Sequence, residues 1–146
     1  MTYRPLRRFS FGIEWNPEAD STSPLANWLA VPEKKRRPAL ILGTSSDRIG
    51  TPEGQAYYAT LSKDLSTVGG GPLSPYVGVA YGTFDDELRA IGGIHVRIPG
   101  THLGSTVIYD GMNVHPTLEY RFRERHVLTL LWVDTRDLGL SYSVAF

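Results

Sequence analysis

Over most of the chain, apolar and polar residues alternate one by one. That is the period of a strand with one apolar face, and the spacing of an amphipathic helix is nearly absent. Phe9, Phe11, Ile13 and Trp15 are separated by Ser10, Gly12 and Glu14, and Val77, Val79 and Tyr81 by Gly78 and Ala80. Leu138, Leu140, Tyr142, Val144 and Phe146 alternate with Gly139, Ser141, Ser143 and Ala145. The pattern predicts an all-β chain with nine strands, at 8–15, 38–44, 55–65, 75–84, 88–98, 102–110, 115–123, 126–134 and 138–146. From residue 75 onward the strands are joined by tight turns at Asp85-Asp86, Pro99-Gly100, Asp110-Gly111 and Thr135-Arg136-Asp137, which gives an antiparallel up-and-down meander. Residues 16–37 break the alternation and read as a long loop with one helical turn, ending in the charge run Glu33-Lys34-Lys35-Arg36-Arg37, which reads first as solvated and second as a binder of phosphate or lipid headgroups. The glycines at 69–71 form a second flexible connection, without the Gly-Lys-Ser/Thr ending that a phosphate-cradling loop requires.

Sorted by face, the strands give one surface that is apolar and rich in aromatics, and a second that mixes very small residues with charges. A soluble barrel turns its apolar face inward and a membrane barrel turns it toward lipid, so the polar face decides the sense. Rows such as Gly78, Ala80, Gly82 or Gly139, Ser141, Ser143, Ala145 lack both the strand propensity and the charge of a water-facing surface. Inside a narrow barrel they leave room for charged side chains from other strands, which pair there as buried charges must. The expected fold is therefore one domain, residues 1–146, forming a meander β-barrel of 8–10 strands of the transmembrane type with its apolar face outward. Arg8, Glu14, His95, Arg97, Glu119, Arg121 and Arg123 are the expected polar network of its interior. Trp15, Tyr81, Tyr109, Tyr120, Trp132 and Tyr142 lie near strand ends or on apolar faces, as an aromatic girdle requires. A barrel of this size is filled by side chains and holds no wide aqueous pore.

Composition narrows the classes further. The 146 residues are 41% apolar, carry 15 basic and 15 acidic side chains, and include no cysteine. This is one domain's worth of material, too apolar to be disordered. A net charge of zero gives no long-range field to attract nucleic acid or an anionic membrane, and disulfides or cysteine-containing zinc sites are excluded. No apolar run approaches the roughly 18 residues of a spanning helix, which leaves strands as the route across a membrane. No signal peptide follows the basic N-terminus, and nine strands is an odd number where single-chain bacterial barrels close with an even one. The parity allows a miscount, with Gln55 to Leu65 or the loop after Trp15 misread and eight or ten strands present, and both facts are explained by an incomplete N-terminus, or by a barrel completed by a partner chain or by homo-oligomerisation. His95, His102, His115 and His126 occur in no Gly-x-Ser-x-Gly or His-Glu-x-x-His context. No catalytic residue, metal ligand or cofactor is expected.

The last strand, with Leu138, Leu140, Tyr142 and Val144 at alternate positions before Phe146, resembles the C-terminal signal of bacterial outer-membrane β-barrel proteins. The resemblance implies an integral outer-membrane protein that meets the lipid bilayer and is recognised by the barrel-assembly machinery through these five residues. A looser similarity covers residues 37–146. Arg37-Pro-Ala-Leu-Ile-Leu-Gly43, Asp47-Arg-Ile-Gly-Thr51, Tyr57-Tyr58, Leu61-Ser-Lys63, Pro75-Tyr-Val-Gly-Val-Ala-Tyr-Gly82 and Tyr109-Asp-Gly111 resemble barrel repeats of YjbH-type outer-membrane proteins. Those proteins are several times longer, and the similarity implies a link to exopolysaccharide export. The sequence thus points first to a small outer-membrane barrel with a structural, assembly or envelope role. A soluble, lipocalin-like barrel holding an apolar ligand is the alternative, and a membrane-barrel enzyme comes third.

Overall fold

Alternation produces strands throughout, and the chain has more of them than its sequence suggests. A computed structural model describes residues 2–6, 8–16, 21–47, 51, 53–68, 72–122, 126–133 and 137–144. They form eleven strands: β1 (Thr2–Leu6), β2 (Phe9–Asn16), β3 (Ser21–Val31), β4 (Ala39–Ser46), β5 (Gln55–Ser62), β6 (Leu73–Gly82), β7 (Glu87–Arg97), β8 (Leu103–Tyr109), β9 (Val114–Phe122), β10 (His126–Val133) and β11 (Asp137–Val144). All belong to one sheet in sequence order, each antiparallel to the next. Among the described residues one 3-10 turn, Leu65–Val68, is the whole helical content.

Two expectations need correction. Residues 16–37 are not a long loop, because Ser21–Val31 is the strand β3, which pairs Trp28 with Phe9 on one side and with Leu42 on the other. Its alternation is masked by Pro24 and the small Ala26, but this proline suits its place. Its carbonyl lies past the last β3–β4 pair, Ala26 with Thr44, and accepts a hydrogen bond from Gln55 Nε2 at 2.9 Å. Pro75 and Pro116 likewise sit one residue beyond the last pair with β5 and with β10. The second correction concerns closure: the sheet has eleven strands rather than 8–10, and it is not closed into a barrel. With an odd number of antiparallel strands, the edges β1 and β11 run in the same direction, so they do not face each other as an antiparallel pair.

The sheet is nonetheless sheared as barrels are. Paired residues lead from Ala39, the first residue of β4, through Ser62, Tyr76, Gly93 and Ile108 to His115 in β9. Ala39 begins its strand, whereas His115 lies seven residues before the corresponding end of β9 at Phe122. Seven residues of slide over five inter-strand steps correspond to a strand tilt of about 45°, within the barrel range.

The turns follow the expected chemistry where they are described. Gly100 and Gly111 adopt positive φ, 73° and 101°. Lys34 and Arg37 exchange backbone hydrogen bonds of 2.9 and 3.1 Å across Lys35-Arg36, and all four side chains are exposed, so the charge run is a solvated hairpin tip. The Thr135-Arg136 turn and the glycines at 69–71 lie outside the described residues.

Burial inverts the usual relation of apolar and polar surfaces. Every large apolar strand residue that is exposed lies on one face, including Val77 (61%), Leu88 (70%) and Leu140 (70%). The buried residues Ala39, Ala56, Thr60, Thr117 and His115 all lie on the other, and His115 is fully buried. Glycine permits the close approach of β5 and β6 there. A Cβ at Gly78 would meet the Ala59 carbonyl oxygen and come within 2.8 Å of Thr60 Cα. Gly78→Ala is expected to force the two strands apart at a cost of about 1–3 kcal/mol, measured as a lower denaturant midpoint of unfolding.

Candidate functional site

The two faces are the features with functional content. On the apolar face, aromatics concentrate toward both ends of the strands and aliphatics occupy the middle. Tyr57, Tyr81, Tyr109 and Trp132 lie at the end where β6 turns into β7, while Phe9, Tyr120 and Phe122 lie at the opposite end, with Trp28 one turn of the pleat further in. Phe9 stacks on Trp28 at 5.9 Å, and Tyr120 on Phe122 at 6.0 Å. Leu138 and Leu140 of the expected C-terminal signal are exposed on this face. Tyr142 and Val144 follow in the same register of β11, and Phe146 lies outside the described residues.

The opposite face is concave. Residues from β3 to β8, among them Ile41, Tyr58, Thr60, Tyr76 and Ile91, line one cavity of about 570 Å³. Its small residues make room chiefly for tyrosines, where the sequence suggests charged pairs. Tyr58 lies across its cross-strand partner Gly43, with ring atoms 2.5 Å from where a Cβ would stand, and donates to Asn27 Oδ1 of β3 at 2.7 Å. Tyr76 covers its partner Gly93 in the same way. Glycine opposite tyrosine is the signal for both, but it becomes legible only once the register is known.

The seven residues of the expected polar network are only partly gathered. Thr106 Oγ1 donates to Glu119 Oε1 at 2.9 Å and lies 2.9 Å from His95 Nδ1, linking β7, β8 and β9. Gly104, paired with both Arg97 and Glu119, leaves a small cavity of about 110 Å³ beside His95, Arg97, His102, Glu119 and Arg121. Arg97 and Arg121 join this cluster, but as exposed groups that form no salt bridge among the described residues. Arg8 is exposed at the β1–β2 turn, several strands away. The Glu14 side chain and Arg123 lie outside the described residues.

A second polar centre, absent from the expected network, sits at the opposite end of the strands. Asp110 follows β8 and accepts from the Met112 and Asn113 N–H groups at 2.9 and 2.8 Å through Oδ1, while Oδ2 meets the buried His115 Nε2 at 3.0 Å. Burial pushes the Asp110 carboxyl up, but these backbone hydrogen bonds and His115 outweigh it and hold it below its ordinary value. Nearby, Asp47 of the β4–β5 connection accepts from the Phe84 N–H at 2.8 Å, tying two adjacent connections together. Arg89 pairs with Asp85 at 3.1 Å and with Glu87 at 2.6 Å. At the other rim, Glu33 takes Lys63 at 2.5 Å and the Asp64 N–H at 3.1 Å. The hydrogen bond from Lys63, with that from the Asp64 N–H, holds its carboxyl below the usual range. Among the described residues no group of three or more His, Asp or Glu side chains is placed to hold a metal ion.

Chemically, these polar groups brace turns and neighbouring strands, whereas the apolar face has no counterpart among the described residues. Compared with protein families, curated proteins and solved structures, the chain matches none.

Proposed function

We propose that this chain is a membrane-spanning β-sheet protein of the outer-membrane type, with its apolar face against lipid and its concave polar face turned to a largely side-chain-filled interior. The observation that carries the proposal is the inversion of burial: Leu140 and Val77 are exposed while His115 and Thr117 are buried. In water, an apolar surface running from β2 to β11 far exceeds the few hundred Å² that soluble monomers expose. Lipid removes that penalty. Strands of 8–11 residues, such as β2, β6 and β7, tilted by about 45°, span roughly 20–25 Å, close to the apolar band of outer-membrane barrels. Aromatics toward both strand ends fit the two interfaces of such a band.

Lipid also forbids unpaired backbone, so the edges β1 and β11 require partners. Strands of a further chain, or of a second copy, supply them in this proposal. The role is structural or assembly-related in the bacterial envelope, with Leu138, Leu140, Tyr142, Val144 and Phe146 presented to the barrel-assembly machinery. The link to exopolysaccharide export rests on the YjbH-type resemblance alone. A lipocalin-like carrier needs the apolar face inward, opposite to the exposures of Val77 and Leu140.

Extraction tests the proposal. The folded protein is expected to stay with the membrane pellet after salt and alkaline washes and to dissolve only in detergent. Recovery of folded, monodisperse protein without detergent would contradict it.

A further inference from the structure

The formal charge of the chain is zero, but the meander sorts it between two rims. Connections β2–β3, β4–β5, β6–β7, β8–β9 and β10–β11 fall at one rim, and the other five fall at the opposite rim. Among the described residues, the connections of the first rim carry Asp47, Glu53, Asp85, Asp86 and Asp110 and no Lys or Arg. Arg89, inside β7 near this rim, is engaged by Asp85 and Glu87. The connections of the second rim carry Arg8, the run Lys34 to Arg37, and Lys63, and Arg97 and Arg121 stand at the nearby ends of β7 and β9. Its carboxylate Glu33 is engaged by Lys63, and Asp64 by the Ser66 N–H and hydroxyl at 2.9 and 2.6 Å. Arg8, Lys34, Lys35, Arg36, Arg37, Arg97 and Arg121 are exposed, and none forms a salt bridge with a carboxylate among the described residues, Arg97 acting on Asp64 only at longer range.

We propose that the basic rim seats in the phosphate layer of an anionic lipid leaflet. The inference rests on the lipid-facing reading of the apolar face and adds which headgroups that face brings into reach. The cations are continuous with apolar surface: Leu61, Leu103 and Tyr120 are exposed at the same strand ends, beside the half-buried Phe9 and Phe122. Aromatic rings at headgroup level beside Lys and Arg are what a lipid interface selects. A nucleic acid offers the charge but nothing for the apolar surface beside it. Guanidinium groups take phosphate through paired hydrogen bonds, and each cation near an anionic surface strengthens binding by about fivefold.

The test compares the wild-type chain with the variant K34Q/K35Q/R36Q/R37Q, whose substitutions fall on an exposed hairpin tip, and with E53Q on the other rim. Each is added to phosphatidylcholine vesicles with and without phosphatidylglycerol, at low and high salt. The wild type and E53Q are expected to favour the anionic vesicles, with the preference lost in high salt. The fourfold variant should lose roughly several hundredfold in association with them while inserting into pure phosphatidylcholine like the wild type. Inorganic phosphate at matched ionic strength should not compete. Equal insertion into both lipids by all three forms, or an equal loss in E53Q, overturns the rim assignment and leaves the lipid-facing sheet standing. Competition by phosphate, or RNA binding without a vesicle preference, overturns it as well. Failure of every form to insert into either lipid overturns the lipid-facing reading, and the rim assignment with it.

Discussion

Val77→Arg and Leu140→Arg are expected to abolish membrane insertion, whereas Leu88→Arg, on the same face but at its rim, is tolerated. All three side chains are well exposed, so none of the substitutions disturbs packing within the chain. Val77 and Leu140 lie near the middle of β6 and β11, and Leu88 is the second residue of β7. A lipid-facing arginine costs about 2–4 kcal/mol at the midplane and about 0–1 kcal/mol near the interface. That difference is enough to separate insertion from failure when folding in lipid is marginal. If the face met water, arginine at any of the three sites would be neutral or would improve solubility. Vesicle flotation of the three variants separates the cases by position alone.

Removing the Asp110 carboxylate is expected to have the largest effect on the polar side. Asp110→Ala takes the acceptor from two turn N–H groups and the partner from the buried His115, at a cost of about 1–3 kcal/mol for each buried group left without its hydrogen bond. Asp110→Asn keeps an acceptor for the turn and should lose less, about 1–3 kcal/mol. Because its carboxyl is held below the ordinary value in the folded chain, Asp110 stabilises the fold above the unfolded-state value, near pH 4. That contribution is lost as pH falls through the lower folded-state value. Wild-type stability should therefore decline on acidification below about pH 4, and Asp110→Asn should lack that part of the decline. Denaturant unfolding in detergent, across pH, measures both effects.

The faces were legible in the sequence because side chains in a strand alternate strictly. Once Phe11 and Ile13, or Leu118 and Tyr120, are placed on one side, pairing carries that assignment across the sheet. The strand number was not legible, because Thr2–Leu6 is short and holds Arg4 and Pro5, and because Ser23-Pro24-Leu25-Ala26 imitates a loop, Pro24 being tolerated past the last pair with β4. This omission also hid the charge sorting. Without β3, the acidic sequence before residue 21 and the basic run at 34–37 merge into one nearly neutral loop, and the alternation of rims is lost. The expected network is only partly gathered for a related reason. Arg97 and Arg121 share a face with Glu119, but they stand at strand ends, where solvent serves as well as a carboxylate. The buried pair is Asp110 with His115, joined across a turn whose geometry alternation does not encode.

The most direct test of the account is an accessibility scan by site-directed spin labelling, which the absence of cysteine makes simple. Single nitroxides at Val107, Leu118 and Leu140 sample the apolar face, and those at Thr106 and Glu119 the polar face. In reconstituted vesicles the first three are expected to be relaxed by lipid-dissolved oxygen and shielded from a water-soluble nickel complex. The other two should show the reverse or be shielded from both. Oxygen accessibility that fails to alternate between neighbouring positions, or nickel accessibility at Val107, Leu118 and Leu140, would contradict a lipid-facing sheet.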